Sequence, residues 1–206
     1  VRNLSDAVDV VVGGNFACAM EATGQLACWG RDVDGELGTG NAIQRLTPVT
    51  AVGVSAATAI SSNDAGSCAK TVGGTAWCWG TNTSGELGDG SAEQRFLPVP
   101  VTVVGDIASI SHGGQHSCAV SSLGKISCWG SNLNGQLGDG TSVSRPTASE
   151  IVTLPDVLAA SVSSNFSCAL LGTREVACWG ANVSGQLGDG TTVPHATPAL
   201  VATVSD

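Results

Sequence analysis

Apolar and polar positions along the chain follow one template four times. In its first copy, Ala7–Gly14 is apolar and β-branched and stops at a glycine pair, and Phe16–Met20 and Gln25–Trp29 are two further short apolar runs. Runs this short, bounded by turn residues, predict strands. Between the second and third lies Glu21-Ala-Thr-Gly-Gln25, a three-residue loop with glycine last. Such a loop joins antiparallel strands, with Gly24 in the left-handed conformation. Gly74 and Gly124 repeat the device, whereas Arg174 stands there in the fourth copy, which predicts a strained or rearranged turn. The runs are apolar on both faces rather than alternating, so both faces of the sheet must be covered. A glycine-rich loop, Gly30–Gly40, follows with Leu37 as its buried anchor, and Leu46–Val52 is a fourth, outer strand. Its Pro48 suits an edge, where no ladder donor is needed.

The copies are in strict phase. Cys-Trp-Gly stands at Cys28–Gly30, Cys78–Gly80, Cys128–Gly130 and Cys178–Gly180, and Gly-Glu/Gln-Leu-Gly at Gly35–Gly38, Gly85–Gly88, Gly135–Gly138 and Gly185–Gly188, every offset being 50. The repeats run over about 7–56, 57–106, 107–156 and 157–206. Four strands in each period of roughly 50 residues predict an all-β fold of four-stranded antiparallel propeller blades. Val1–Asp6 is in phase with Val201–Asp206, which leads us to expect a part of a longer array.

Hairpin register decides the cysteine chemistry. If Glu21 faces Gln25, then Met20 faces Leu26, Ala19 faces Ala27, Cys18 faces Cys28 and Trp29 meets the small Ala17. The same register sets Cys68 against Cys78, Cys118 against Cys128 and Cys168 against Cys178. Facing antiparallel positions come close enough to be bridged, so four disulfides are expected, with buried free thiols as the alternative. Chain-entropy reasoning gives about 2.5–3 kcal/mol for so short a loop, less for a hairpin already closed. Disulfides imply an oxidising compartment: extracellular space, cell surface or periplasm. A zinc site is disfavoured, since no Cys-x-x-Cys occurs and no His recurs beside the pairs.

Composition narrows the function classes. Charged residues are only 12% of the chain, Gly numbers 28, and the formal net charge is −9. An acidic domain does not attract nucleic acid, and no apolar stretch approaches the ~20 residues of a membrane-spanning helix.

The runs Gly113-Gly-Gln-His-Ser-Cys-Ala119, Leu123-Gly-Lys-Ile-Ser-Cys-Trp-Gly130 and Asn132-Leu-Asn-Gly-Gln-Leu-Gly-Asp-Gly140, followed by Arg145-Pro146, carry a resemblance. The chain resembles the regulator of chromosome condensation repeat family over all four copies, and its cysteine-bearing, secreted bacterial members most. His116 has no counterpart at 16, 66 or 166, and Asp32 replaces the Asn of 82, 132 and 182. The resemblance implies a seven-bladed ring, completed here by further blades or by self-association. Nucleotide exchange on a small GTPase, known in the family, relies on an inserted wedge, and these repeats hold no insertion.

Arg45, Arg95, Arg145 and His195 fall in phase and form a candidate binding face for an acidic partner; the structural alternative bonds them to loop carbonyls or to Asp89, Asp139 and Asp189. Asp32, Asp34 and Glu36 miss the calcium-loop spacing and read as a solvated loop. His112, His116 and His195 are the only histidines, and no nucleophile elbow, zincin helix or phosphate loop is present, so a catalytic set is not expected. No cofactor and no metal are expected. Asn82-Thr-Ser84 and Asn182-Val-Ser184 match the glycosylation acceptor incidentally. Copies differ at 41–44, 91–94, 142–144 and 192–194 and at hairpin tips 22–23, 72–73, 122–123 and 172–174. Varied loops on a rigid frame are where binding sites lie. The reading is a non-catalytic protein-interaction scaffold, secreted or on the cell surface. The first rival is an inhibitor of an extracellular enzyme, similar to a β-lactamase inhibitor. It needs exposed aromatics, whereas the four Cys-Trp-Gly tryptophans read as buried and only Trp77, Phe96 and Phe16 are spare.

Overall fold

The computed structural model describes residue 4 and residues 6–102 and 105–202. Of the in-phase chain ends, residues 1–3, 5 and 203–206 lie outside the described residues. Short β-branched and small-residue runs separated by glycine turns give sixteen strands and, among the described residues, no helix. The first sheet is Ala7–Val12 (β1), Phe16–Glu21 (β2), Leu26–Gly30 (β3) and Arg45–Thr50 (β4). Its period recurs as β5 (Ala57–Ser62) to β8 (Arg95–Pro100), β9 (Ile107–His112) to β12 (Arg145–Glu150), and β13 (Val157–Val162) to β16 (His195–Leu200). Each sheet is antiparallel in chain order, which is the form of a propeller blade. β1, β5, β9 and β13 touch in succession, so they are the inner strands and β4, β8, β12 and β16 the outer edges.

The hairpin register is the one the turn dictates. Cys18 faces Cys28, Ala17 faces Trp29 and Met20 faces Leu26, and the other three blades repeat the pairing. All eight cysteines are bridged, each pair 10 residues apart with Cα atoms 4.0–4.1 Å apart. Along the outer strand the ladder slips between Cys28–Val49 and Gly30–Arg45, opposite the segment that holds Pro48. A proline has no N–H to give a ladder, and the slip removes the demand. Arg174 keeps the hairpin of its glycine counterparts: its N–H reaches the Leu171 carbonyl at 2.9 Å while its φ stands at 74°. The turn is strained rather than rearranged, because an L side chain resists that region.

The hydrophobic cores lie between blades. Leu26, Leu37, Val54 and Ile60 pack around Trp79 at the first joint; Leu87, Val101 and Ile107 pack around Trp129 at the second; Leu137, Ile151 and Val157 pack around Trp179 at the third. Each indole also makes a directed bond to the blade before it. Trp79 donates to the Glu36 carbonyl at 2.8 Å, Trp129 to that of Glu86 at 2.9 Å, and Trp179 to that of Gln136 at 2.8 Å. A Cβ at Gly88 would come within 2.5 Å of the Trp129 Nε1, so glycine is what lets the ring lie on the loop backbone. Among the described residues no loop of another blade covers Trp29, which is only half-buried, a departure from the expectation that all four tryptophans are covered.

Candidate protein-interaction face

The long loop between the third and fourth strands of each blade is held by a polar hub. In blade 3 the Asn132 amide oxygen accepts from Leu137 N–H at 2.9 Å. Its nitrogen donates to Asp139 at 3.1 Å and to the carbonyls of Thr141 and Val143 at 3.1 and 3.3 Å. Asn82 and Asn182 make the same set and are fully buried, so their match to a glycosylation acceptor reflects a loop-closing role. At the next layer the Asp139 carboxylate accepts from Thr141 and takes Arg145 Nε at 2.8 Å. Burial pushes this carboxyl up, but the Thr141, Arg145 and Asn132 hydrogen bonds outweigh it and hold it below its ordinary value. Asp189 is held down to about 2, first by the Thr191 amide.

The cation series therefore sits inside its own loops. Arg95, Arg145 and His195 meet Asp89, Asp139 and Asp189 at 2.7, 2.8 and 2.6 Å. Blade 1 inverts the arrangement. Asp32 stands where the others have Asn, and Thr39 where they have Asp, so the carboxylate moves to the hub and bonds Leu37 N–H and the Thr39 hydroxyl at 3.0 and 3.1 Å. Burial raises the Asp32 pKa. Arg45 Nε is buried without a hydrogen-bond partner.

Asp32 and Glu36 are fully buried, which corrects the expectation of a solvated loop. Position 36 and its counterparts explain why only Glu or Gln occurs there. Their side-chain oxygens accept from the backbone N–H of Asp34, Ser84, Asn134 and Ser184 at 2.7–2.9 Å. The restriction to an oxygen-bearing side chain of one length was visible in the repeat. In blade 1 Arg31 neutralises Glu36 at 2.8 Å. Glu86 has no such cation and its pKa is raised by burial. No group of three metal-ligating side chains occurs among the described residues.

What this frame leaves exposed is apolar. Leu133 and Val143 are 77% and 62% exposed, and Val183 and Val193 on blade 4 are 76% and 60%. Blade 1 shows Val33 and Ile43; blade 2 substitutes Thr83 and Glu93. Leu133 and Val143 line an open groove of about 600 Å³ whose far wall is Pro194 and Ala196 of blade 4. Position 133 was not among the varied positions legible in the repeats at 142–144 and 192–194, although it varies between a hub restricted to Asn or Asp and the recurrent Gly135–Gly138 run. At the other end of the blades, Leu123 and Asp106 border a cavity of about 470 Å³ whose Lys125 is held by Glu150 at 3.0 Å.

Two models described as the Regulator of chromosome condensation (RCC1) repeat match the chain, one at 73–120 and 124–170, the other at 7–36, 107–136 and 157–186. The chain belongs to this repeat family. No curated protein matches it. Among solved structures, human WBSCR16 is similar at 20% identity and TM-score 0.87, covering 98% of this chain and 55% of that one. Prp20p from Saccharomyces cerevisiae, described with its binding to Gsp1p and histones, follows at 18% and 0.85, covering 96% and 50%. The receptor kinase CR4 ectodomain from Physcomitrella patens is similar at 22% and 0.59, covering 90% and 43%. The chain thus spans about half the length of these proteins, and at such identities the likeness speaks for the fold of the family.

Proposed function

We propose that this repeat-family chain is a non-catalytic scaffold that holds a protein partner on its long-loop face, chiefly at blades 3 and 4. The observation that carries the reading is the exposed Leu133–Val143 pair over the groove of about 600 Å³, set on loops whose polar groups are satisfied internally. Apolar side chains on a frame that cannot collapse onto them offer a partner surface without an ordering cost. The Arg45, Arg95, Arg145 and His195 series lies at the foot of the same loops; three members are already paired, so it steers a partner less than the apolar tips do. Four disulfides support placement in an oxidising compartment, whether extracellular, cell-surface or periplasmic. The outward faces of blades 1 and 4, with half-buried Trp29 and Phe166, are suited to further blades or a second copy.

A photoreactive side chain placed in turn at 133, 83 and 123 tests the face. With secreted and surface proteins as the pool, saturable crosslinking at 133, competed by unmodified chain, is the expected outcome. Equal capture at 83 and 123, or none that saturates, contradicts it.

A further inference from the structure

His112 and His116 stand on one blade and face opposite ways. His112 ends β9 and turns toward blade 2, where a Cβ on Gly66 would come within 2.9 Å of its Nε2. His116 begins the second strand of the blade, β10 (His116–Ser121), and reaches blade 4, its Nε2 2.7 Å from the Ser167 hydroxyl. Blades 1 and 4 carry Phe16 and Phe166 at the position of His116, and blade 2 carries Gly66. Blade 3 thus fills with a histidine ring the space that Gly66 leaves, and replaces a phenylalanine with a second one. Both residues are buried.

Serine hydroxyls fix both tautomers. Ser117 Oγ lies 2.8 Å from the Glu86 carbonyl. Two oxygens so close need a proton between them, and only the hydroxyl has one. Its lone pair then receives the Nδ1–H of His112 at 2.7 Å, which leaves His112 Nε2 as a bare, partnerless lone pair. Ser167 spends its proton on the Gln136 carbonyl at 2.9 Å in the same way. His116 therefore donates from Nε2 and keeps a bare Nδ1, also without a partner. Each ring is neutral by construction: a proton added at His112 Nε2 has no hydrogen-bond partner, and one added at His116 finds only the Ser164 backbone to favour it.

We propose that these two histidines make blade 3 an acid-released element, in which proton uptake at His112 and His116 loosens its joints with blades 2 and 4 together.

The neighbours offer no compensating charge. Against His112, blade 2 presents Gly66, Ser61 and Ser62; its Asp64 is exposed at the rim of the small cavity that His112 lines, and the Glu86 carboxylate turns back onto Ser84 N–H. Against His116, blade 4 presents Ser167, and Gln136 is neutral where blades 1 and 2 carry Glu. Burial pushes His112 down to about 3, with His116 repelling its charge, and burial pushes His116 down to about 4 against the pull of the Ser164 backbone. Both folded values lie below the ordinary 6.5 of an unfolded histidine. The joints are therefore at full strength above that value and weaken as pH falls below it. Each ring costs up to about tenfold in the folding constant per pH unit, and the two together about a hundredfold.

Denaturant unfolding of the whole chain between pH 7 and pH 5, wild type against the double variant His112→Phe/His116→Phe, reads this out. Phenylalanine is the residue blades 1 and 4 already use at the position of His116, and it keeps a ring against Gly66. The wild type is expected to lose on the order of 500-fold more in folding constant than the variant, and its Trp129 and Trp179 indole N–H groups to gain exchange rate at pH 5 relative to Trp79. Equal pH dependence in the two proteins overturns the proposal. Imidazole nitrogen shifts of the wild type decide independently of whether the variant folds: Nδ1–H at His112, Nε2–H at His116 and no titration above pH 5 are expected, and either ring titrating near pH 6.5 overturns the proposal.

Discussion

Blades 2 and 3 hold the same loop in the same way and show opposite chemistry at its tip. In both, an Asn hub closes the loop, an Asp takes the following Arg at 2.7–2.8 Å, and a tryptophan bonds the carbonyl of the preceding blade. At the tip, blade 2 shows Thr83 and Glu93, and blade 3 shows Leu133 and Val143. The difference teaches that tip identity is uncoupled from the frame. A side chain whose neighbours are all bonded to one another can change without cost to the loop, which lets recognition vary while folding does not.

That division is broken most severely at the joint. Trp129→Ala removes the ring that fills the second joint, and a loss of about 3–5 kcal/mol is expected in denaturant unfolding. Asn132→Ala comes next: it strands buried carbonyls and amides around Leu137 and Val143, and about 2–3 kcal/mol is expected to go, together with the shape of the groove. Arg174→Gly relieves a left-handed arginine and is expected to raise stability by about 1 kcal/mol by the same measurement. Leu133→Glu is expected to change stability by less than about 0.5 kcal/mol. A tip substitution that costs as much as the hub substitution refutes the uncoupling.

The strands, the hairpin register and the four bridges were legible because each follows from local spacing: a three-residue turn fixes which residues face, and Cys18 and Cys28 fall opposite by arithmetic. Leu37 was legible as an anchor because it is the apolar residue between glycines. The joint bonds were not, since Trp79 and Glu36 are 43 residues apart and only the stacking of one blade on the next brings them together. Burial of Asp32 and Glu36 was hidden for a related reason. A glycine-rich loop with acids reads as solvated unless the amides that fold over them are known. The varied tips showed in the comparison of copies, but exposure had to select among them.

The most direct measurement is the affinity of a partner crosslinked at position 133 for three forms of the chain: wild type, Leu133→Glu/Val143→Glu, and Thr83→Leu/Glu93→Val. The expected result is at least about tenfold weaker binding for the first variant, a difference of about 1.4 kcal/mol, with its denaturation midpoint unchanged and the blade 2 variant binding as the wild type does. Undiminished binding by the Leu133→Glu/Val143→Glu chain, with its fold intact, would contradict the assignment of the long-loop face of blades 3 and 4.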